Sequence, residues 1–324
     1  MMNSKIANLP KPFFVLAPMD DVTDTVFRQV VADLAPPDLF FTEFVNVDGL
    51  QSPGRDKLLP KLRFIDKEHP IIAQIWGKNP DNYYKTTKDL IAMGYDGVDI
   101  NMGCPDKAVV KNGCCSAFIN DRELAGQVIG SVKQASQGTF PVSVKTRVGF
   151  TTVDISWIEF LLSQKLNMLT VHLRTTKEMS KVPAHWELMD EIVALRDAIS
   201  PSTLLVGNGD VLSREQGLKL AKSHKLDGIM IGRGIFNDPK VFMNNSDWSY
   251  ATKQTRIKLY RKHVELFAST WQNNERRIPT LNKFCKVYIQ GFDGAKELRE
   301  RLMSAKTTIE LTSILNSCQE TEKL

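Results

Sequence analysis

An amide and a thiol lie three residues apart in the loop that follows a hydrophobic stretch of the chain. The run Val98-Asp99-Ile100 leads into Asn101-Met102-Gly103-Cys104-Pro105, so Asn101 and Cys104 come just after a predicted strand. In parallel α/β folds the carboxyl ends of the strands and the loops after them form the reactive face. A thiol there is well placed for catalysis, although a lone cysteine is also often a buried structural residue. The elements around this loop favour the catalytic interpretation.

Other predicted strands carry polar residues toward their ends that a packed barrel does not need. These residues are Gln74 in the third strand, Lys145 and Arg147 in the fifth, His172 and Arg174 at the sixth, Asn208, Gly209 and Asp210 after the seventh, and Gly232-Arg233-Gly234 after the eighth. Phosphate sites in barrels are typically built after strands seven and eight, where glycine lets the backbone approach an anion. The two glycine-containing segments therefore predict a flavin or phosphate site.

Lys145 stands inside the apolar run Val142-Ser143-Val144-Lys145, where a charge is costly to bury without a partner. A flavin would be one partner, because its reduced ring carries negative charge near the pyrimidine edge. Gln74 would hydrogen-bond that same edge of the ring. An internal ion pair with Asp99 is the alternative. His172 fits a core histidine in isolation, but its place at a strand end favours the reactive face.

Eight short apolar runs predict the elements that position these residues. They span residues 13–19, 39–45, 70–77, 97–103, 141–148, 168–173, 203–208 and 227–232, and helical stretches such as 81–93, 121–137, 155–164, 185–198 and 213–223 separate them. Strands buried on both faces and alternating with helices are typical of parallel sheets. Eight such units predict an α/β fold of the (β/α)8 TIM-barrel type. A doubly wound sheet would need a glycine-rich first turn, and here that turn is Ala17-Pro18-Met19-Asp20.

The strand pattern stops after Phe236-Asn237-Asp238-Pro239, and helical patterns follow at 251–271, 280–289, 295–304 and 307–316. The sequence therefore predicts a catalytic barrel at 1–242 and an all-helical C-terminal domain at 243–324. From residue 251 onward there are 14 Lys and Arg against 8 Asp and Glu, whereas the whole chain has a net charge of only +5. Such an excess favours a nucleic-acid partner. A solvated helical surface is the alternative explanation of this charge. The aromatic residues Trp271, Phe284 and Tyr288 would either stack on RNA bases or pack between the helices.

Composition and targeting signals point to a globular cytoplasmic protein. Hydrophobic residues make up 42% and charged residues 24% of the chain, which is ordinary for globular proteins. The five cysteines form no regular framework, and we find neither an apolar leader nor a run of about 18 apolar residues. We expect reduced thiols and no membrane association.

Several motifs together resemble one enzyme family. Ala17-Pro18-Met19, Val22-Thr23-Asp24 and Phe27-Arg28 resemble the opening of the bacterial flavin-dependent tRNA dihydrouridine synthases. The family's other blocks follow in order as Asn101-Met102-Gly103-Cys104-Pro105, Lys111-Asn112-Gly113, Val144-Lys145-Thr146-Arg147-Val148-Gly149, Thr170-Val171-His172-Leu173-Arg174-Thr175, Gly207-Asn208-Gly209-Asp210 and Ile231-Gly232-Arg233-Gly234. The resemblance is close from residue 13 to about 240 and less sharp in the tail, at Tyr288, Gly291 and Leu298-Arg299.

The resemblance implies reduction of the C5=C6 bond of uridines in tRNA by FMN that NADPH recharges, with a monomer sufficient. Cys104 would donate the proton, as a thiol near its ordinary pKa of about 8.5. Asn101, Arg147 and Arg174 would contact the substrate. The implied FMN contacts are Pro18, Met19, Asp20, Gln74, Lys145, His172, Asn208, Gly209, Asp210, Gly232 and Arg233.

One segment departs from the family's pattern. Cys114-Cys115-Ser116-Ala117 stands where the family usually has small residues, and the extra thiols fit either packing or redox sensitivity. We expect no zinc or other metal, because Cys104, Cys114 and Cys115 lack paired spacing and partner histidines. Two other functions remain open: an FMN barrel acting on a small molecule, and a tRNA-binding protein without catalysis.

Overall fold

The computed structural model describes residues 4–272 and 275–320 and contains a closed eight-stranded barrel. All neighbouring strands are parallel, and the hydrogen-bonded order β1-β8-β7-β6-β5-β4-β3-β2 closes through a bridge between Val15 and Leu39. The strands are β1 (Phe13–Leu16), β2 (Phe40–Asn46), β3 (Ile71–Trp76), β4 (Gly97–Met102), β5 (Val142–Arg147), β6 (Met168–His172), β7 (Leu204–Asn208) and β8 (Gly228–Ile231). All eight predicted runs contain a strand, so the predicted (β/α)8 fold is confirmed.

The barrel helices lie between successive strands and begin at side-chain caps. Asp24, Asn79, Asp121, Asp154 and Ser213 each accept a hydrogen bond from a backbone N–H of the first turn that follows, which satisfies a donor left free at a helix start. The helices are α1 (Ser4–Ala7), α2 (Thr25–Leu34), α3 (Val47–Leu50), α4 (Pro80–Ala92), α5 (Lys107–Lys111), α6 (Arg122–Ser136), α7 (Ile155–Ser163), α8 (Met189–Ile199), α9 (Arg214–Ser223) and α10 (Gly234–Asn237).

The inside of the barrel changes from apolar at its base to polar at its top. One buried cluster inside the barrel contains Phe13, Val15, Leu39, Ile72 and Met168, and Ile6 of α1 packs against its lower end. Side chains alternate along a strand, so residues two positions apart point to the same side. The inward positions nearer the strand ends therefore carry the polar residues of the sequence motifs. The polar side chains that could bind a ligand or react therefore lie at the carboxyl ends of the strands.

Four further helices follow the barrel, as predicted: α11 (Lys253–Thr270), α12 (Pro279–Tyr288), α13 (Ala295–Ser304) and α14 (Thr308–Glu320). α11 packs on α2 of the barrel, and one hydrophobic core runs from the barrel's outer face into these helices. The division at residue 243 stays a prediction, because the shared core does not mark where one folding unit ends.

A buried polar latch joins the C-terminal helices to the barrel. The Trp271 indole N–H donates to Asp24 across 3.0 Å, and the Arg276 guanidinium lies 5.4 Å from the Trp271 ring centroid. Arg276 also forms an ion pair with Glu43, which is fully buried, and donates to Asp21 across 3.1 Å. Arg276 therefore neutralises a carboxylate inside the barrel wall.

In the described parts of the chain, 4–272 and 275–320, we find no helix both long and apolar enough to cross a lipid bilayer.

The latch predicts a large difference between two neighbouring arginines. Arg276→Ala should lower the free energy of unfolding by about 3 kcal/mol or more, because it leaves Glu43 buried without its partner. Arg277→Ala is the matched control: this side chain is exposed, so the change should stay within about 0.5 kcal/mol. Urea unfolding followed by tryptophan fluorescence measures both. Equal stabilities of the two variants would show that the latch contributes nothing.

Candidate active site

A cavity of about 560 Å³ opens at the carboxyl ends of the strands. Its lining comes from the segments after β1, β7 and β8 and from the ends of β5 and β6. Of the predicted cofactor contacts it includes Pro18, Met19, Lys145, His172, Asn208, Gly209, Asp210, Gly232 and Arg233, and of the predicted substrate contacts Arg147 and Arg174. The fold thus brings together residues that are up to 215 positions apart, as Pro18 and Arg233 are.

The Lys145 side chain lines this cavity. Within the described ranges its ammonium makes no hydrogen bond and no ion pair with any residue. Burial, together with the nearby Arg147, lowers the pKa of Lys145 to about 8, while Asp99 opposes the shift. An unpaired ammonium in a half-buried position is costly, which indicates that the site is built to meet an anion or a polarised group.

Asp99 does not form the ion pair with Lys145 that the sequence left open. Its carboxylate accepts a hydrogen bond from Ser143 Oγ at 2.6 Å and one from Gln74 Nε2 at 2.8 Å. Strand register pairs Asp99 with Ser143 and with Gln74, one inward layer deeper than Lys145. Burial raises the pKa of Asp99 to about 6. The Asp99 carboxylate is therefore bound by Ser143 and Gln74 and makes no ion pair with Lys145.

Gln74 and Asn101 are used inside the barrel and do not line the cavity. Asn101 Nδ2 donates to Gln74 Oε1 across 3.1 Å. Asn101 Oδ1 accepts from the backbone N–H of Gly103 and of Cys104, each at 3.0 Å. The predicted contacts of Gln74 with flavin and of Asn101 with substrate stay predictions. The role of Asn101 in shaping the Cys104 loop was not predicted from the sequence, although an asparagine two residues before glycine is a turn signal.

Cys104 lies half-buried beside the cavity, and its acidity is shifted. The Cys115 thiol donates a hydrogen bond to Cys104 Sγ, and this bond is the largest of the effects that lower the pKa of Cys104 to about 7. A backbone hydrogen bond from Asp106 and the charge of Arg147 act in the same direction, while burial opposes them. The expectation of an unshifted thiol is wrong, because the sequence did not show that Cys115 packs against Cys104.

Arg147 and Arg174 are buried and hold the loops of the site. Arg147 donates to the carbonyl oxygens of Gly103 at 2.7 Å and Thr175 at 3.0 Å. Arg174 forms an ion pair with Asp210 and contacts His172 Nε2 at 3.2 Å. Burial and the surrounding positive charges lower the pKa of His172 far below its usual range, so the imidazole is neutral. Both arginines thus position loops as well as facing the cavity.

The cavity is suited to a phosphate-bearing anion. Lys145, Arg147, Arg174 and Arg233 line it, and Asp210 is the lining carboxylate. The Arg233 side chain is 60% exposed and has only a 3.3 Å contact with Asp210, so it is available to a ligand. Gly209 has a φ of +142°, and a Cβ there would lie 2.6 Å from that of Ala184, so only glycine fits. These features fit the phosphate end of a flavin mononucleotide.

Asp20 does not line the cavity, and its predicted contact with flavin stays a prediction. Its exposed carboxylate forms an ion pair with Lys61. Asp20, Asp21 and Glu43 are close enough together to hold a metal ion. However, Asp21 and Glu43 both pair with Arg276, which explains the cluster without a metal.

Several tail residues considered for RNA contact serve packing instead. Arg256 is buried, donates to Trp248 O at 2.8 Å and lies over the Trp248 ring. Trp271, Phe284 and Tyr288 are all at most 5% exposed, so the packing alternative is confirmed. The exposed cations that form no ion pair within the described part of the tail are Lys258, Arg277, Lys286, Lys296, Arg301 and Lys306.

Comparisons with known proteins agree with this site. The chain matches the family model described as dihydrouridine synthase over residues 15–323. It is 45% identical over 311 residues to the "Probable tRNA-dihydrouridine synthase 2" of Bacillus subtilis (strain 168), covering 95% of this chain and 94% of that protein. It is 43% identical over 313 residues to a "Probable tRNA-dihydrouridine synthase" of Staphylococcus aureus (strain Mu50 / ATCC 700699), covering 96% and 94%.

Solved structures share the fold at low sequence identity. Histamine dehydrogenase from Rhizobium sp. 4-9 aligns with a TM-score of 0.55 and 13% identity, covering 78% of this chain and 48% of that chain. A 2-naphthoyl-CoA reductase complex aligns with a TM-score of 0.55 and 10% identity, covering 74% and 52%. These likenesses show the barrel architecture.

The hydrogen bond from Cys115 predicts the acidity of Cys104. The rate of Cys104 alkylation by iodoacetamide, followed by peptide mass spectrometry, should rise with pH to a midpoint near 7, because the thiolate is the nucleophile. Cys115→Ala removes the donated hydrogen bond and should move this midpoint to higher pH. A midpoint near 8.5 in the unaltered protein, the ordinary value for a thiol, would contradict this account.

Proposed function

The chain belongs to the dihydrouridine synthase family, and we propose that it reduces the C5=C6 bond of uridines in tRNA. The reductant at the site would be FMN, recharged by NADPH, with Cys104 as the proton donor. The observation that carries the proposal is the position of a half-buried acidic thiol beside a cation-lined cavity that holds an unpaired lysine.

The cavity residues would hold FMN in a defined direction. Arg233, Gly232 and Gly209 lie at the ends of β7 and β8, where the phosphate would bind, and Lys145 would face the electron-rich part of the ring. Pro18 and Met19 would pack along the ring from the segment after β1. When bound, FMN would supply the hydride that adds to C6 of the uracil. Neutral His172 would accept or donate a hydrogen bond without adding charge.

Cys104 would deliver the proton that carbon 5 must gain. A general acid works best when its pKa lies near the operating pH, and the pKa of about 7 meets this condition. Asn101 fixes the Cys104 backbone through the hydrogen bonds to the N–H groups of Gly103 and Cys104. The thiol is thereby held at the mouth of the barrel before the substrate arrives, which reduces the entropic cost of reaching the transition state.

The RNA would be held outside the barrel while one nucleotide enters it. An enzyme that acts on a base ring must take that base out of its stack. A second cavity, of about 620 Å³, lies among the C-terminal helices and includes Arg277 and Lys306 in its lining. These exposed cations and their unpaired neighbours would bind the phosphate backbone. We place the enzyme in the cytoplasm, acting as a monomer, with residues 243–324 as the RNA-binding part.

The direct test is reduction of tRNA that lacks dihydrouridine. Purified protein should carry flavin, and with NADPH it should restore dihydrouridine at defined positions of tRNA from cells lacking the gene, as mapped by mass spectrometry. Flavin without any change in tRNA would favour a small substrate. Protein that binds tRNA but holds no flavin would favour a non-catalytic function.

Cys104→Ala is the matched variant in the same assay. It should keep its flavin and tRNA binding yet reduce uridine about 10²-fold or more slowly, which is typical for loss of a general acid. Cys114→Ser, altered in a neighbouring thiol that donates a hydrogen bond to the Asn112 carbonyl, should retain activity. Near-normal turnover by Cys104→Ala would remove Cys104 as the proton donor.

A further inference from the structure

Cys115 has a partner and a backbone conformation that simple packing does not require. Its side chain is fully buried, and its interaction with the Cys104 thiol is the largest of the effects that lower the pKa of Cys104. The Ser116 N–H donates to the Cys104 carbonyl across 3.4 Å, which places the peptide after Cys115 against Cys104. A disulfide needs this close approach of the two backbones.

The conformation of Cys115 adds an independent observation. Its φ is +54°, in the left-handed region that favours glycine. A cysteine kept at such a position carries a steric cost, and strained residues of this kind cluster at functional sites. The adjacent Cys114 differs, because its thiol points to the Asn112 carbonyl at 3.8 Å. Of the two consecutive cysteines, Cys115 is therefore the one whose side chain interacts with Cys104.

We propose that Cys104 and Cys115 form a reversible disulfide when the protein meets hydrogen peroxide, and that this modification stops and protects the site. Both cysteines are free thiols in this structure. Cys104 is the accessible partner, because it is half-buried, and Cys115 is the resolving partner, because it is enclosed.

The chemistry balances with peroxide as the two-electron oxidant. The Cys104 thiolate attacks one peroxide oxygen, the O–O bond breaks, and a sulfenic acid forms as hydroxide leaves and takes up the proton that Cys104 lost. The Cys115 sulfur then attacks Cys104 Sγ, the S–O bond breaks, and the Cys115 proton leaves with the hydroxide as water. Two thiols are oxidised to one disulfide, and one peroxide is reduced to two water molecules.

The disulfide has two consequences for Cys104. It removes the proton that the site donates, so activity stops; this consequence rests on the proposed function. It also keeps Cys104 from further oxidation to sulfinic acid, which thiol reductants do not reverse. Formation of the bond itself is independent of what the enzyme reduces.

The test uses the full-length, flavin-containing protein treated with stoichiometric hydrogen peroxide. The thiols titrated after denaturation should fall from five to three and return to five with dithiothreitol. Trypsin cleaves after Lys107 and Lys111, so Cys104 and Cys115 fall on separate peptides that a disulfide joins. Uridine reduction should be lost and regained in parallel with the thiol count.

Two variants separate the neighbouring thiols. Cys114→Ser should still form the joined peptides, whereas Cys115→Ser keeps a hydroxyl donor but should form none. In Cys115→Ser, excess peroxide should convert Cys104 first to sulfenic acid and then, with a second peroxide molecule, to sulfinic acid, and dithiothreitol should restore no activity. The proposal fails if Cys115→Ser still gives the joined peptides, if Cys114→Ser abolishes them, or if peroxide leaves all five thiols. If the protein reduces no uridine at all, the thiol count and peptides still decide this proposal.

Discussion

The site depends on a half-buried lysine that the barrel does not neutralise. In one inward layer, Ser143 and Gln74 donate hydrogen bonds to the Asp99 carboxylate. Lys145 lies in the next layer and has no partner among the described residues. Burial then lowers the pKa of Lys145 to about 8, because the surroundings disfavour its charged form. An anion in the cavity removes this penalty. The protein therefore gives up some stability in exchange for a site prepared to bind a ligand.

The same hydrogen-bond network extends to the reactive thiol. Gln74 accepts from Asn101, and Asn101 in turn accepts from the backbone N–H groups of Gly103 and Cys104. The Asp99 layer and the Cys104 loop are thus connected by hydrogen bonds across β3, β4 and β5. Beyond the loop, Cys115 sets the acidity of Cys104 and offers it a sulfur partner. The interaction with Cys115 consequently underlies both the acidity and the proposed redox sensitivity of Cys104.

Local patterns in the sequence were sufficient for the barrel and for most of the cavity. Apolar runs alternating with helical stretches predict eight parallel strands, and strand ends then predict which side chains meet, including Lys145 and Arg233. The pairing of Cys115 with Cys104 was not predictable, because it depends on how the loop after α5 folds back. The use of Arg276 in the latch was also hidden. Charge counting cannot distinguish an arginine facing RNA from one facing Glu43, since both contribute equally to the net charge.

The central role of Lys145 is tested most directly in the Lys145→Met variant. The measurement is the dissociation constant of FMN for the flavin-free protein, determined by fluorescence quenching. A hydrogen bond to a charged group contributes about 1.5–3 kcal/mol, so the loss of Lys145 should weaken FMN binding by about tenfold or more. Lys177→Met, altered at an exposed lysine that does not line the cavity, should bind FMN as the unaltered protein does. Equal FMN affinity in Lys145→Met, Lys177→Met and the unaltered protein would contradict the central role of the unpaired lysine.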